Sequence, residues 1–230
     1  MTVAIGFDFD HTLGVDNGLE RTALYTYADE LGRPIPPAGE TAAKHVDHLL
    51  AAFRADEITM DDMLARFGAL IGAPAARTAR WREICYALVP QLVRPIDGAR
   101  ELLGTLQAKG IPTAILTNGW TPLQQKKIAH ALGDDVAAAI PILVSDALRA
   151  VKPAPAAFDA LVAALGVPRE HVWYVGDNAR GDVAGALAAG LRAVWFNAEN
   201  QTYPQDLPPP ALTVASLREV AALAENTTSP

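Results

Sequence analysis

The chain has 230 residues, of which 50% are hydrophobic and 20% charged, and its formal net charge is −7. This is the composition of a folded globular protein, long enough to bury roughly 70–75% of its unfolded surface. It lacks a basic block with which to neutralise a nucleic-acid backbone or an anionic membrane, so neither is an expected partner. An anionic substrate stays open, because a cation and a local lysine reverse the sign at one site. The single cysteine, Cys85, lies in an apolar helical context and reads as a buried thiol in a reducing compartment. Asp8 and Asp10 stand where a signal peptide would carry its basic region, and no apolar run approaches the ~20 residues of a membrane span. A cytoplasmic location is therefore expected. The sequon Asn226-Thr227-Thr228 carries little weight without a secretion signal, and the polar tail from Glu225 is expected to fray.

The first element is an apolar strand, Val3 to Phe7, followed by Asp8-Phe9-Asp10-His11-Thr12. If the pleat continues, Asp8 and Asp10 face one side and Phe9 the other. Two acids at a strand's C-terminal end lie where open α/β sheets bind ligands. One can attack an electrophile while the other handles a proton; the plainer alternative is a solvated turn or a cap. From Asp16 to Arg94 the pattern is helical: Leu19 to Leu31, Thr41 to Phe53, Met60 to Ile71 and Ala79 to Leu92. Gly32, Pro34, Pro36, Pro37, Gly39, Gly72 and Pro74 punctuate these stretches, which predict a small bundle. His45 and His48, three apart in this insert, read as a solvated face.

After Pro95, helices alternate with short apolar strands. The predicted strands are Pro112 to Leu116, Ile142 to Val144, His171 to Val175, Ala193 to Phe196 and a weaker Leu212 to Ala215. The helices are Gly98 to Lys109, Pro122 to Leu132, Pro155 to Leu165 and Asp182 to Ala189. This alternation predicts an α/β class: a Rossmann-like, mostly parallel sheet with helices on both faces, plus an inserted α-helical domain. Residues 1–15 and 95–230 form the expected core and 16–94 the insert. Gly181, Gly185 and Gly190 are expected to allow close helix–sheet approach.

Three further polar groups sit at strand ends. Leu116-Thr117-Asn118-Gly119 leads into Thr121-Pro122-Leu123-Gln124, which reads as an N-cap, an N1 proline and a capping glutamine. A hydroxyl and free N–H groups at a helix start make an anion site, or simply a capping turn. Lys152 precedes Pro153-Ala154-Pro155 and is either an exposed cation or a charge held over the sheet end. Gly176-Asp177-Asn178-Ala179-Arg180-Gly181-Asp182 offers two acids five apart; they suit a hard cation such as Mg²⁺, or cap a helix.

In this order the four groups resemble the motifs of the haloacid dehalogenase-like superfamily: Asp8/Asp10, Thr117, Lys152 and Asp177/Asp182. The insert resembles that family's C1-type helical cap. Thr117-Asn118-Gly119-Trp120 with Gln124, Gln125 and Lys127-Ile128 is similar to the branch holding nucleotidases and N-acylneuraminate-9-phosphatase. His11 departs from the glycine most members carry; it either touches a leaving group or fills the turn. The resemblance implies a phosphatase acting on a small phosphorylated metabolite. Asp8 would be the nucleophile and Asp10 the general acid and base. Thr117, Asn118 and Lys152 would bind phosphate. Mg²⁺ would be held by Asp8, Asp10 (through its carbonyl), Asp177 and Asp182. A cap would close over the substrate. A phosphosugar mutase of the β-phosphoglucomutase type, a haloacid dehalogenase and a non-catalytic binding protein are the alternatives. The second acid and the acid pair count against a dehalogenase, which needs neither.

Overall fold

A computed structural model describes residues 3–35, 41–54, 57–73 and 77–226. Pro36, Pro37, Gly39, Pro74, Thr227 and Thr228 of the sequence reading lie outside the described residues. The chain divides into two compact units, the described residues of Met1–Val15 with Arg94–Pro230, and Asp16–Val93.

The first unit is built on a six-stranded sheet in the order β5-β4-β1-β6-β7-β8. Its strands are β1 (Ala4–Phe7), β4 (Thr113–Thr117), β5 (Ile142–Val144), β6 (Val172–Gly176), β7 (Arg192–Phe196) and β8 (Leu212–Val214). Every neighbouring pair is parallel. The central strands are unbroken apolar runs because both sheet faces are covered. A two-stranded antiparallel ribbon, β2 (Gly14–Val15) and β3 (Arg94–Pro95), lies where the chain leaves and re-enters this unit.

Helices α5 (Ala99–Ala108), α6 (Thr121–Leu132), α7 (Asp134–Ala139), α8 (Ser145–Leu148), α9 (Pro155–Leu165), α10 (Gly185–Ala188) and α11 (Leu217–Asn226) accompany the sheet. A 3₁₀ turn, Arg169–His171, leads into β6, and a π-helical turn, Ala179–Ala184, leads into α10. One core face gathers Leu116, Phe158, Leu161, Val172, Tyr174, Val183 and Trp195, all buried. Gly185 admits this packing, since a Cβ there would lie 2.7 Å from the Phe158 ring. Gly181 departs from the expected close approach, since a Cβ there would meet nothing nearer than 3.4 Å. At Gly190 a Cβ would lie 3.1 Å from Arg169 Cδ, and the φ of +78° also favours glycine.

The second unit holds helices α1 (Leu19–Glu30), α2 (Thr41–Arg54), α3 (Met60–Ile71) and α4 (Thr78–Leu92). The first packs on the fourth and the second on the third. Leu24, Val46, Leu50, Phe67, Trp81 and Cys85 are buried there. Thr59 and Asp62 close a capping box on the third helix, and Gly72 ends it with φ +64°. His45 and His48 are exposed, as a solvated face requires.

Candidate active site

β1 lies between β4 and β6, with Phe7 level with Ile115 on one side and Val175 on the other. Each strand delivers its polar end to one region: Asp8 follows β1, Thr117 closes β4 and Asp177 follows β6. The sheet order reverses direction at β1, the switch point at which α/β sheets open a crevice.

Asp8 and Asp10 do not continue a pleat. The chain turns at once: the N–H groups of Leu13 and Gly14 both donate to the Phe9 carbonyl at 2.9 Å, and His11 adopts a φ of +61°. That left-handed conformation explains physically why glycine suits the position. Phe9 is fully buried, and the two acids enter different surroundings.

Asp8 meets Lys152. The lysine Nζ donates to Asp8 Oδ1 at 2.6 Å, to Asp182 Oδ1 at 2.7 Å and to the Tyr174 hydroxyl at 3.0 Å. These partners use all three ammonium protons. Tyr174 in turn donates to the Leu116 carbonyl at 2.8 Å. Asn118 fixes the lysine backbone from both sides, accepting from its N–H at 2.9 Å and donating to its carbonyl at 3.1 Å. Lys152 is therefore a buried, immobile charge rather than an exposed cation, with 4% of its side chain accessible. Burial pushes the Asp8 carboxyl well above the usual carboxylate range; Lys152 opposes this, and Asp182, Asp177 and Asp10 add to it. Burial works against the lysine charge, yet Asp182 and Asp8 hold its ammonium well above the ordinary value.

Asp177 completes the acidic group. Burial and the Asp182 charge raise it to about 6, against the lowering effects of His11 and Lys152. Its N–H donates to Thr12 Oγ1 at 3.1 Å, and Trp195 Nε1 donates to its carbonyl at 2.8 Å. Asp8, Asp177 and Asp182 each offer a carboxylate oxygen, all within 4.8 Å of one another. Hard oxygen donors in excess of the one lysine suit a divalent cation such as Mg²⁺. Asp182 has both oxygens engaged, by Lys152 and by the Asn178 N–H at 3.0 Å. Gly176 makes room for it: a Cβ there would lie 2.4 Å from the Asp182 carboxylate. Gly176→Ala should displace Asp182 and the lysine it holds. The expected result is a loss of about 1–3 kcal/mol in a thermal or urea melt, as for other overpacked sites. A melt matching wild type would contradict it.

Asp10 lies apart from that group. Lys127 Nζ donates to its Oδ1 at 2.5 Å and Gln124 Nε2 to its Oδ2 at 2.7 Å. Of the expected metal set, its carboxylate is thus turned elsewhere and only its carbonyl remains. Gln124 also corrects the capping reading of α6. The helix begins at Thr121 with no side-chain cap, and the Thr121 N–H is met instead by Asp146 Oδ2 at 3.1 Å. Gln124 Nε2 reaches Thr117 Oγ1 at 2.9 Å and the Asn118 carbonyl at 2.8 Å. Sequence reasoning assigned no site role to Gln124, Lys127 or Tyr174. The signal for the first two is their three-residue spacing among Leu123, Ile128 and Ala131, which places polar groups on a buried helix face.

The sheet, its switch point and a paired set of acids around a buried lysine define an α/β protein with an acidic centre at its strand ends. A family model described as haloacid dehalogenase-like hydrolase matches residues 3–190, and the chain belongs to that family. Pyrimidine 5'-nucleotidase YjjG of Escherichia coli is 31% identical over 134 residues, 58% of this chain and 58% of that protein. Phosphoglycolate phosphatase of Rhodospirillum rubrum is 34% identical over 84% of this chain and 79% of its own length. The chain spans about half the length of the first curated relatives it matches. The magnesium-bound crystal structure of the HAD-hydrolase YfnB from Bacillus subtilis shares the fold, with a TM-score of 0.73 at 23% identity, covering 96% of this chain and 98% of that one.

Proposed function

We propose that this chain is a Mg²⁺-dependent phosphatase of small phosphate monoesters, with residues 16–93 as its cap. The observation that carries the reading is Asp8 at the end of β1, fixed by Lys152 and facing Asp177 and Asp182. Relatives named as a nucleotidase and as phosphatases support it. Asp8, the Asp10 carbonyl and Asp177 would hold the ion, with Asp182 assisting through water. Once bound, it would neutralise the carboxylates and the phosphoryl oxygens, letting anion meet anion.

Asp8 attacks phosphorus in line, the ester P–O bond breaks, and Asp10 gives its proton to the departing alkoxide. Asp10 then takes a proton from water as the water oxygen attacks the aspartyl phosphate, returning Asp8 as carboxylate and releasing phosphate. Thr117 and the Asn118 N–H bind the phosphoryl oxygens, and Lys152 joins them by giving up one of its three present partners. Most of the rate enhancement would come from positioning and fixed charge. Among the described residues no helix is long and apolar enough to cross a membrane.

The test is a panel of phosphomonoesters assayed with Mg²⁺ and with EDTA. Phosphate release should need the cation, fall at least about 10²-fold on chelation and return on adding Mg²⁺. Chelation-resistant turnover of a 2-haloacid would instead make the chain a dehalogenase. Isomerisation dependent on a sugar bisphosphate, with little free phosphate, would make it a mutase.

A further inference from the structure

Helix α6 carries two buried polar side chains whose donors converge on one acid. Lys127 is 3% and Gln124 also 3% exposed, whereas the side chain of Asp10 is 29% exposed. A buried ammonium needs a counter-charge, yet any nearby acid would serve for that alone. Here the lysine takes one Asp10 oxygen, Gln124 takes the other, and Lys127 Nζ also lies 5.8 Å above the Phe9 ring, beneath the turn that carries Asp10. The carboxylate is thereby held at both ends, and its rotation about Cβ–Cγ is stopped.

The orientation of the Gln124 amide follows from its surroundings. Its nitrogen faces the Asp10 carboxyl, a hydroxyl and a carbonyl, so a flipped amide would turn its oxygen against the Asn118 carbonyl, which has no proton to give. The amide oxygen is buried, with no hydrogen-bond partner among the described residues. The nitrogen has two protons for three acceptors, so Thr117 Oγ1 at 2.9 Å shares one with the Asp10 carboxyl at 2.7 Å or the Asn118 carbonyl at 2.8 Å. A hydroxyl that accepts there keeps its single proton for another acceptor, and the Asn118 carbonyl, at 3.4 Å, is a poor one.

We propose that Gln124 and Lys127 are positioning residues. Together they lock Asp10 in the attitude from which it serves the leaving oxygen, and Gln124 also aims the Thr117 proton at the substrate phosphoryl group. This rests on the phosphatase reading above and adds to it a coupling between proton transfer and phosphate binding through one amide.

The experiment compares Lys127→Met, Lys127→Arg and Gln124→Met with wild type on p-nitrophenyl phosphate and on an alkyl phosphate, with Mg²⁺. Affinity for inorganic phosphate is measured alongside by calorimetry, and folding by thermal melt. An alkoxide needs the Asp10 proton and a nitrophenolate does not. Lys127→Met should lower kcat on the alkyl ester at least about tenfold more than on the aryl ester, with phosphate affinity within about twofold of wild type. Lys127→Arg should restore part of the alkyl activity. Gln124→Met should show the same leaving-group bias and, in addition, weaken phosphate binding severalfold. Equal losses on the two esters, or phosphate affinity falling alike in both variants, would overturn the proposal while leaving the phosphatase intact. Wild type inert toward both esters would overturn the phosphatase reading itself. If Lys127→Met or Gln124→Met melts before assay, Lys127→Gln or Gln124→Glu takes its place, read by the same ratio of ester activities.

Discussion

Asp8→Asn is expected to abolish phosphate release, by more than roughly 10³-fold, while leaving the fold intact. The amide oxygen can still accept from Lys152, whose ammonium keeps Asp182 and Tyr174 as further partners. Only nucleophilicity is removed, because an amide oxygen does not displace an alkoxide from phosphorus. The stability arm has a definite sign. The folded Asp8 carboxyl is raised above its unfolded value, chiefly by burial. Such a group destabilises the fold at neutral pH, and that cost shrinks as pH falls below the folded value and is gone once pH is below the unfolded one. Asparagine never carries the charge. Without divalent cation the variant should therefore melt at or above the wild-type temperature at pH 7, and Mg²⁺ should raise that temperature less than it does for wild type. Activity within tenfold of wild type would end the nucleophile assignment. A large fall in melting temperature would show that the carboxylate holds the fold together instead.

The sheet was readable because its strands are short apolar runs each closed by a polar residue, and because every helix between them has room to cross back over the sheet. Val3 to Phe7, Ile142 to Val144 and Ala193 to Phe196 fall on strands, each within a residue at either end. What escaped lacks periodicity or length. Gly14–Val15 and Arg94–Pro95 are two-residue strands whose pairing partners are far apart in sequence. Helix α11 did leave a trace: Ser216 and Glu219 have capping-box spacing, and Glu219 Oε1 accepts from the Ser216 N–H at 3.0 Å. The acids and the lysine were legible as residue types at strand ends, but their geometry was not. That Asp8 and Asp10 diverge depends on the turn at His11, and that Lys152 is buried depends on Asn118, 34 residues away. Gln124 looked like a cap because a glutamine three residues after threonine carries that meaning locally. A carboxylate 114 residues away outcompetes the backbone for it.

Lys152→Met is the substitution with the next largest expected effect, and it separates stability from chemistry. The methionine matches the aliphatic stem but leaves Asp8 and Asp182 facing each other in a buried site without their shared cation. Breaking a buried ion pair in this way costs about 3–5 kcal/mol, and loss of a charge aimed at the phosphoryl oxygens should lower kcat by more than roughly 10²-fold. The stability deficit has a pH dependence. Lys152 is the neighbour that holds the Asp8 carboxyl down. Its removal lifts the folded carboxyl further above its unfolded value, so the deficit is largest at neutral pH and shrinks as pH falls toward the unfolded carboxylate range. Urea melts at pH 8 and pH 5 should show that narrowing. Adding Asp182→Asn removes one of the stranded charges, so the double variant should recover more than about 1 kcal/mol relative to additivity. It should recover none of the turnover, because the group that meets the phosphate is still missing. If the double variant regained activity along with stability, Lys152 would be a structural counter-ion and nothing more, and the phosphate would need another cation to receive it.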